Sequence, residues 1–162
     1  MPIVKQTKGD LIELFQEGSA SLIVVGTNCK ASMKGDLFNE LAERFPHLID
    51  VDKEFPLPTL YRLGDYAVCP TEYGNILIFY TQLELEGSFE YSALKSCLKK
   101  LSNEAIRANT YLELAVPMFV SETNGAKWEI IKRILNFQEQ LLITVIEQDD
   151  KGEVRLGESE VD

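Results

Sequence analysis

Two hydrophobic periods alternate along this chain. Residues 21–25 read S-L-I-V-V, a short apolar run of the kind expected from a strand covered on both faces. Over 36–45 the spacing becomes helical, with Leu37, Phe38, Leu41 and Phe45 gathered on one side. Asp36 stands where a cap would and Pro46 where the helix would stop. Residues 47–60, broken by Pro56 and Pro58, read as an irregular connection. Segments 66–71 and 76–82 predict two strands joined by a turn at Tyr73-Gly74-Asn75. Leu94, Leu98, Leu101 and Ala105 predict a helix over 91–107, and 111–119 (Y-L-E-L-A-V-P-M-F) a further strand. Trp128, Ile131 and Leu135 mark a third helix, and 141–146 (L-L-I-T-V-I) a last buried strand.

This order predicts an α/β domain over residues 1–148, a three-layer α/β/α arrangement with a mixed central sheet and helices on both faces. Ligands in such sheets usually sit beyond the carboxyl ends of the strands. The loops over 26–35 and 120–125 are therefore the first places to look. Residues 149–162 hold six acidic and two basic residues with few apolar ones, and predict a solvated, disordered tail.

Composition narrows the function classes. With 16 basic against 26 acidic residues the formal charge is −10. A field of that sign repels phosphate backbones and anionic lipid, so neither nucleic acid nor a membrane surface is an expected partner. Three scattered cysteines (Cys29, Cys69, Cys97) and one histidine, His47, offer neither a disulfide framework nor zinc-ligand spacing. No apolar run approaches the length of a membrane span, there is no signal-like N-terminus, and the expected location is cytoplasmic. No metal and no cofactor are expected.

Four stretches resemble the macrodomain family, in particular its branch of ADP-ribose-1″-phosphate phosphatases and ADP-ribosyl-glutamate hydrolases. Lys8-Gly9-Asp10-Leu11 is similar to the opening K-G-D-I/L, whose aspartate accepts a hydrogen bond from the adenine amino group. Residues 28–36 (N-C-K-A-S-M-K-G-D), with Arg44-Phe45-Pro46 closing the helix that follows, resemble N-C-x-G-x-M-G-x-G and R-F-P without a gap. Tyr91, Leu94 and Leu98 match Y-x-x-L-x-x-x-L, and residues 117–129 resemble P-x-I-G-x-G-x-x-G-x-D-W-E.

The resemblance implies a nucleotide cleft lined by Asp10, Leu11, Asn28, Met33, Lys34, Gly35, Ser121, Glu122, Thr123, Asn124 and Gly125. It also exposes departures. Ala31, Lys34 and Asp36 stand where the family's first loop has glycine, and Val120 and Glu122 replace the glycines of the second, where backbone N–H groups approach a diphosphate. Lys127 occupies the position of a catalytic aspartate, Leu83 that of a nucleophilic lysine, and Ile146 that of an aromatic residue stacked on adenine. No catalytic residue is therefore expected, although Lys34 and Lys127 bring positive charge to the two altered loops.

Each candidate has a plainer reading. Asp10 before an apolar run is also an ordinary helix cap, and Asn28 after a buried strand an ordinary turn residue. Cys29 reads as a small buried hydrophobe, Trp128 as a packing residue and His47 as a surface residue. Asp36 reads as a cap rather than one of a carboxylate pair, and Glu84 and Glu86 as exposed on an extended segment. Three functions follow: a non-catalytic module binding ADP-ribose or a related nucleotide, an ADP-ribosyl hydrolase or ADP-ribose-1″-phosphate phosphatase, or a degenerate macrodomain acting as a protein-interaction module, such as a viral accessory factor.

Overall fold

A computed structural model describes residues 3–30, 35–57, 59–83, 87–119 and 125–148. Its elements run β1 (Ile3–Gly9), α1 (Leu11–Gln16), β2 (Leu22–Asn28), α2 (Asp36–Arg44), α3 (His47–Glu54), α4 (Thr59–Arg62), β3 (Tyr66–Thr71), β4 (Gly74–Gln82), α5 (Tyr91–Arg107), β5 (Leu112–Pro117), α6 (Trp128–Asn136) and β6 (Leu141–Gln148). The six strands form one sheet in the order β1-β6-β5-β2-β4-β3. Every neighbouring pair is parallel except β3 with β4, so the sheet is mixed, as expected.

The continuous apolar runs are explained by a core on each face. Along β4, Ile76, Ile78 and Tyr80 pack on one side with Leu11, Phe15, Phe38, Leu41 and Leu48. Leu77 and Phe79 pack on the other with Leu94, Leu98, Ile131 and Leu135. β2 divides the same way, Ile23 and Val25 against Val24. Alternate residues point to opposite faces, so a strand under two helical layers has no polar side to show. The result is three layers, with α1, α2 and α3 on one face and α5 and α6 on the other.

Four places differ from the expectation. First, β1 lies at a sheet edge, and its sequence (I-V-K-Q-T-K-G) is mostly polar and largely exposed. Its order comes from parallel pairing with β6 and from a hydrogen bond of the Ile3 N–H to Asn136 Oδ1 at 3.1 Å. Second, residues 47–60 are not irregular throughout but contain α3 and α4. The buried residues of α3 are Leu48 and Asp52, so half of its inner face is a carboxylate. Third, Asp36 is the first residue of α2 and Gly35 its cap. Fourth, the β3–β4 turn falls at Glu72-Tyr73, since Thr71 pairs with Gly74.

Asp52 is held by a polar cluster. Tyr80 Oη donates to Asp52 Oδ1 at 2.6 Å, and Arg62 Nη1 lies 3.6 Å from the same oxygen. The guanidinium sits 5.6 Å from the ring centres of both Phe55 and Tyr80, and donates to the carbonyls of Leu57 and Phe55. A buried charge persists only when paired and hydrogen-bonded, and this one pins α3 and α4 to β4. Burial, followed by the bond to Asp52, holds the Tyr80 phenol well above its ordinary range.

Candidate functional site

Five parallel strands end together at one edge of the sheet: β1 at Gly9, β6 at Gln148, β5 at Pro117, β2 at Asn28 and β4 at Gln82. Asp10 follows β1, Cys29 to Gly35 follow β2, and the segment ending at Gly125 follows β5. Of the resemblance's candidate positions, the described ones, Asp10, Leu11, Asn28, Gly35 and Gly125, follow or end at this edge. β6 and β5 lie between β1 and β2, so Asp10 and Asn28 stand three strand spacings apart, about 14 Å. Of the expected site residues, Met33, Lys34, Ser121, Glu122, Thr123 and Asn124 lie outside the described residues, as do Glu84, Glu86 and Val120.

Asp10 is buried and caps α1, its Oδ1 accepting from the N–H groups of Ile12 at 2.9 Å and Glu13 at 3.3 Å. The plainer reading of Asp10 thus has a definite geometry. Leu11 buries its side chain completely, and its N–H donates to Gln148 Oε1 at 2.9 Å. Gln148 joins the end of β6 to the start of α1, a contact that no local sequence signal announces.

Asn28 is also buried, and its Oδ1 accepts from the Lys30 N–H at 2.9 Å, a turn that starts the loop after β2. Cys29 sits in the core, its N–H directed at the carbonyls of Gln82 and Leu83. This joins the end of β2 to the end of β4. Gly35 and Gly125, which close the two loops, have φ of +104° and +77°, a region that disfavours any residue with a Cβ.

An aromatic wall supports the β5 side of the edge. Phe89 packs against Tyr91 and Phe119, with ring centres 5.6 and 6.1 Å apart. The Tyr91 hydroxyl donates to the Gly125 carbonyl at 3.2 Å and accepts from the Lys127 N–H at 3.1 Å. It thereby ties the start of α5 to the chain entering α6. Phe119 lies over Gly26 of β2, where an added Cβ would come within 3.0 Å of the ring. The family comparison supplied Tyr91 as a helix marker; its bridging hydroxyl and the place of Phe119 arise only when β4, β5 and α5 come together.

The remaining candidates are dispersed. Lys127 is exposed and precedes α6, Leu83 packs partly buried against the α1–α2 core, and Ile146 is buried in it. Trp128 packs on the α5–α6 side. His47 is exposed on α3, 4.0 Å from Asp50. Described charges near the edge are of both signs: Lys8, Lys30 and Lys127 with Asp36, Glu90 and Glu147. Among the described residues, no group of three or more potential metal ligands occurs, and no helix is long and apolar enough to cross a membrane. A separate groove of about 330 Å³, lined by Lys5, Thr7, Thr144 and Ala115, lies on the α1 face of the sheet rather than at this edge.

Comparison with known proteins agrees with this architecture. No protein-family model matches the chain. Among solved structures, the macrodomain of Mycobacterium tuberculosis DarG superposes with a TM-score of 0.66 at 15% identity, over 90% of this chain and 99% of that one. A macrodomain protein from Streptomyces coelicolor gives 0.65 at 12% identity, over 90% and 99%. Thermosipho africanus DarTG, solved in complex with ADP-ribose, gives 0.64 at 18% identity, over 88% of this chain and 42% of its own length. In sequence, an uncharacterized 17.5 kDa protein from the tk-vs intergenic region of Enterobacteria phage T4 is 30% identical over 155 residues, covering 90% of this chain and 96% of the relative. The chain thus has the fold of a macrodomain and belongs to the same family as this phage T4 protein.

Proposed function

We propose that this chain is a non-catalytic module whose sheet edge binds ADP-ribose or a related nucleotide. One observation supports the reading: Asp10, Asn28 and the positive-φ glycines Gly35 and Gly125 belong to connections at the edge where five parallel strands end. The fold is shared with a protein solved in complex with ADP-ribose. The span between Asp10 and Asn28 suits an elongated ligand better than a single phosphate. In this reading Asp10 and Leu11 meet the base, while Asn28 and the loop residues Met33, Lys34, Gly35, Ser121, Glu122, Thr123, Asn124 and Gly125 meet the ribose and phosphates. Leu83 and Lys127, at the positions the hydrolase branch uses for chemistry, support binding without turnover.

The test separates recognition from folding. Asparagine caps a helix as well as aspartate does, so Asp10→Asn keeps an acceptor for Ile12 and Glu13 while giving an adenine amino group a donor instead of a carboxylate. Calorimetry of the full chain with ADP-ribose should show binding that weakens about tenfold or more in Asp10→Asn, with thermal unfolding unchanged. Hydrolysis of an ADP-ribosylated peptide would overturn the non-catalytic part. Absence of heat at millimolar ADP-ribose, NAD and AMP would overturn the whole reading. It would favour the interaction module, which is supported by the engagement of Asp10 and Asn28 with neighbouring backbone and by the phage relative.

A further inference from the structure

A second surface stands out on the α5–α6 face. Between α5 and the turn after α6 lies a groove of about 330 Å³, lined by Lys95, Lys99 and Ile106 on one side and Phe137 and Glu139 on the other. Phe137 is 87% exposed, the most exposed large apolar side chain among the described residues, and Ile106 is 43% exposed. The two form an apolar pair inside a rim that is otherwise polar. Lys95 and Lys99 are one helical turn apart and exposed, and neither makes an ion pair among the described residues. In a chain of charge −10, this local positive strip, opposed only by Glu139, selects an acidic occupant with an apolar anchor.

The chain itself contains such a segment. Residues 149–162 (D-D-K-G-E-V-R-L-G-E-S-E-V-D) combine six acidic residues with Val154, Leu156 and Val161. We infer that this segment docks in the α5–α6 groove of its own molecule, with Leu156 against Ile106 and Phe137 and its carboxylates facing Lys95 and Lys99. The reach is adequate. The groove's Glu139 lies just before β6, whose eight residues (Leu141–Gln148) carry the chain about 23 Å to the opposite edge. An extended chain covers roughly 3.5 Å per residue, so Leu156, eight residues beyond Gln148, spans about 28 Å. Tethering sets the segment at a roughly millimolar effective concentration, so a contact too weak to hold a free peptide is well populated in cis. A composition unable to build its own core suits a segment held by charge and one anchor.

The test uses the full chain carrying a nitroxide on Ser159→Cys, since the natural cysteines Cys29, Cys69 and Cys97 are all buried. Amide resonances of Lys95, Lys99, Ile106 and Phe137 should be selectively broadened. The broadening should fall severalfold at about 1 M salt, where the Debye length is about 3 Å, and disappear in Lys95→Glu/Lys99→Glu with an unchanged circular-dichroism spectrum. Mixing spin-labelled, isotopically unlabelled chain with labelled, spin-free chain separates cis from trans. Broadening of the groove only in the mixed sample would overturn docking within one molecule in favour of a second copy. No broadening of the groove, or broadening centred on Lys5, Thr7 and Thr144, would overturn the proposal outright.

Discussion

Replacing Asp52 with alanine tests whether a carboxylate on the inner face of α3 holds that region together. In the native chain Asp52 accepts the Tyr80 hydroxyl at 2.6 Å and faces the Arg62 guanidinium at 3.6 Å, with Arg62 8% exposed and Asp52 2% exposed. Removing Asp52 leaves a buried cation without its counter-charge, for which breaking one partner of a buried pair costs about 3–5 kcal/mol. The stranded Tyr80 hydroxyl adds about 1–3 kcal/mol by itself. The two losses share Asp52 and do not sum, so the expected cost is about 3–5 kcal/mol. That is a large part of the roughly 5–15 kcal/mol that holds a domain together. Urea unfolding followed by far-ultraviolet circular dichroism measures it directly, and the corresponding fall in Tm is roughly 6–20 °C. Asp52→Asn retains an acceptor for Tyr80 and should cost less. A double-mutant cycle of Asp52→Ala with Tyr80→Phe should show coupling of at least about 0.5 kcal/mol. A cost below about 1 kcal/mol for Asp52→Ala, or strict additivity in the cycle, would refute the claim that the carboxylate organises α3, α4 and β4.

Three further outcomes follow from the geometry. Gly26→Ala puts a methyl group 3.0 Å from the Phe119 ring and 3.3 Å from Thr81 Oγ1, so it should destabilise the chain by about 1–3 kcal/mol; chemical denaturation that leaves its midpoint unmoved would show that the ring does not rest there. Tyr91→Phe removes both bonds that fix Gly125 and Lys127, and should cost about 0.5–1.5 kcal/mol. Faster amide exchange at Lys127 is the specific readout, and unchanged exchange would count against the brace. Burial, with Asp65 adding to it, pushes the Cys97 thiol from its ordinary 9.0 up to about 12. Between those values the unfolded chain holds fewer protons than the folded one. The stabilisation is therefore complete below pH 9 and lost as pH rises, by up to about 1.4 kcal/mol per unit. Cys97→Ala should make that decline shallower between pH 9 and 12, the raised Cys69, Tyr66 and Tyr80 groups keeping the remainder; an equally steep decline in the variant would assign it elsewhere.

The legible parts of the fold were those where one physical demand dominates a segment. Leu94, Leu98, Leu101 and Ala105 trace the buried face of α5 over 91–107, and the unbroken apolar runs of β2, β4 and β6 follow from helices on both faces. What escaped had its signal inverted. β1 takes its order from backbone pairing to β6, which leaves no mark on side chains. α4 turns Leu60 and Tyr61 outward, each 71% exposed, and buries Arg62. α3 buries Asp52, so a search for apolar periodicity passes it by.

The strand-end positions of Asp10 and Asn28 were legible, because strand ends and turns carry strong local preferences. The Tyr91 bridge, the Phe119–Gly26 contact and the Gln148 bond to Leu11 join residues distant in sequence, and no pattern within one segment encodes them.

The two-faced strand β4 has a consequence for how such a chain can diverge. Because Ile76, Ile78 and Tyr80 belong to one core while Leu77 and Phe79 belong to the other, neither helical layer can loosen without disturbing the strand that the opposite layer grips. The grip is supplied by strand and helix side chains, so a sequence change confined to one helical face is felt through β4 by the other.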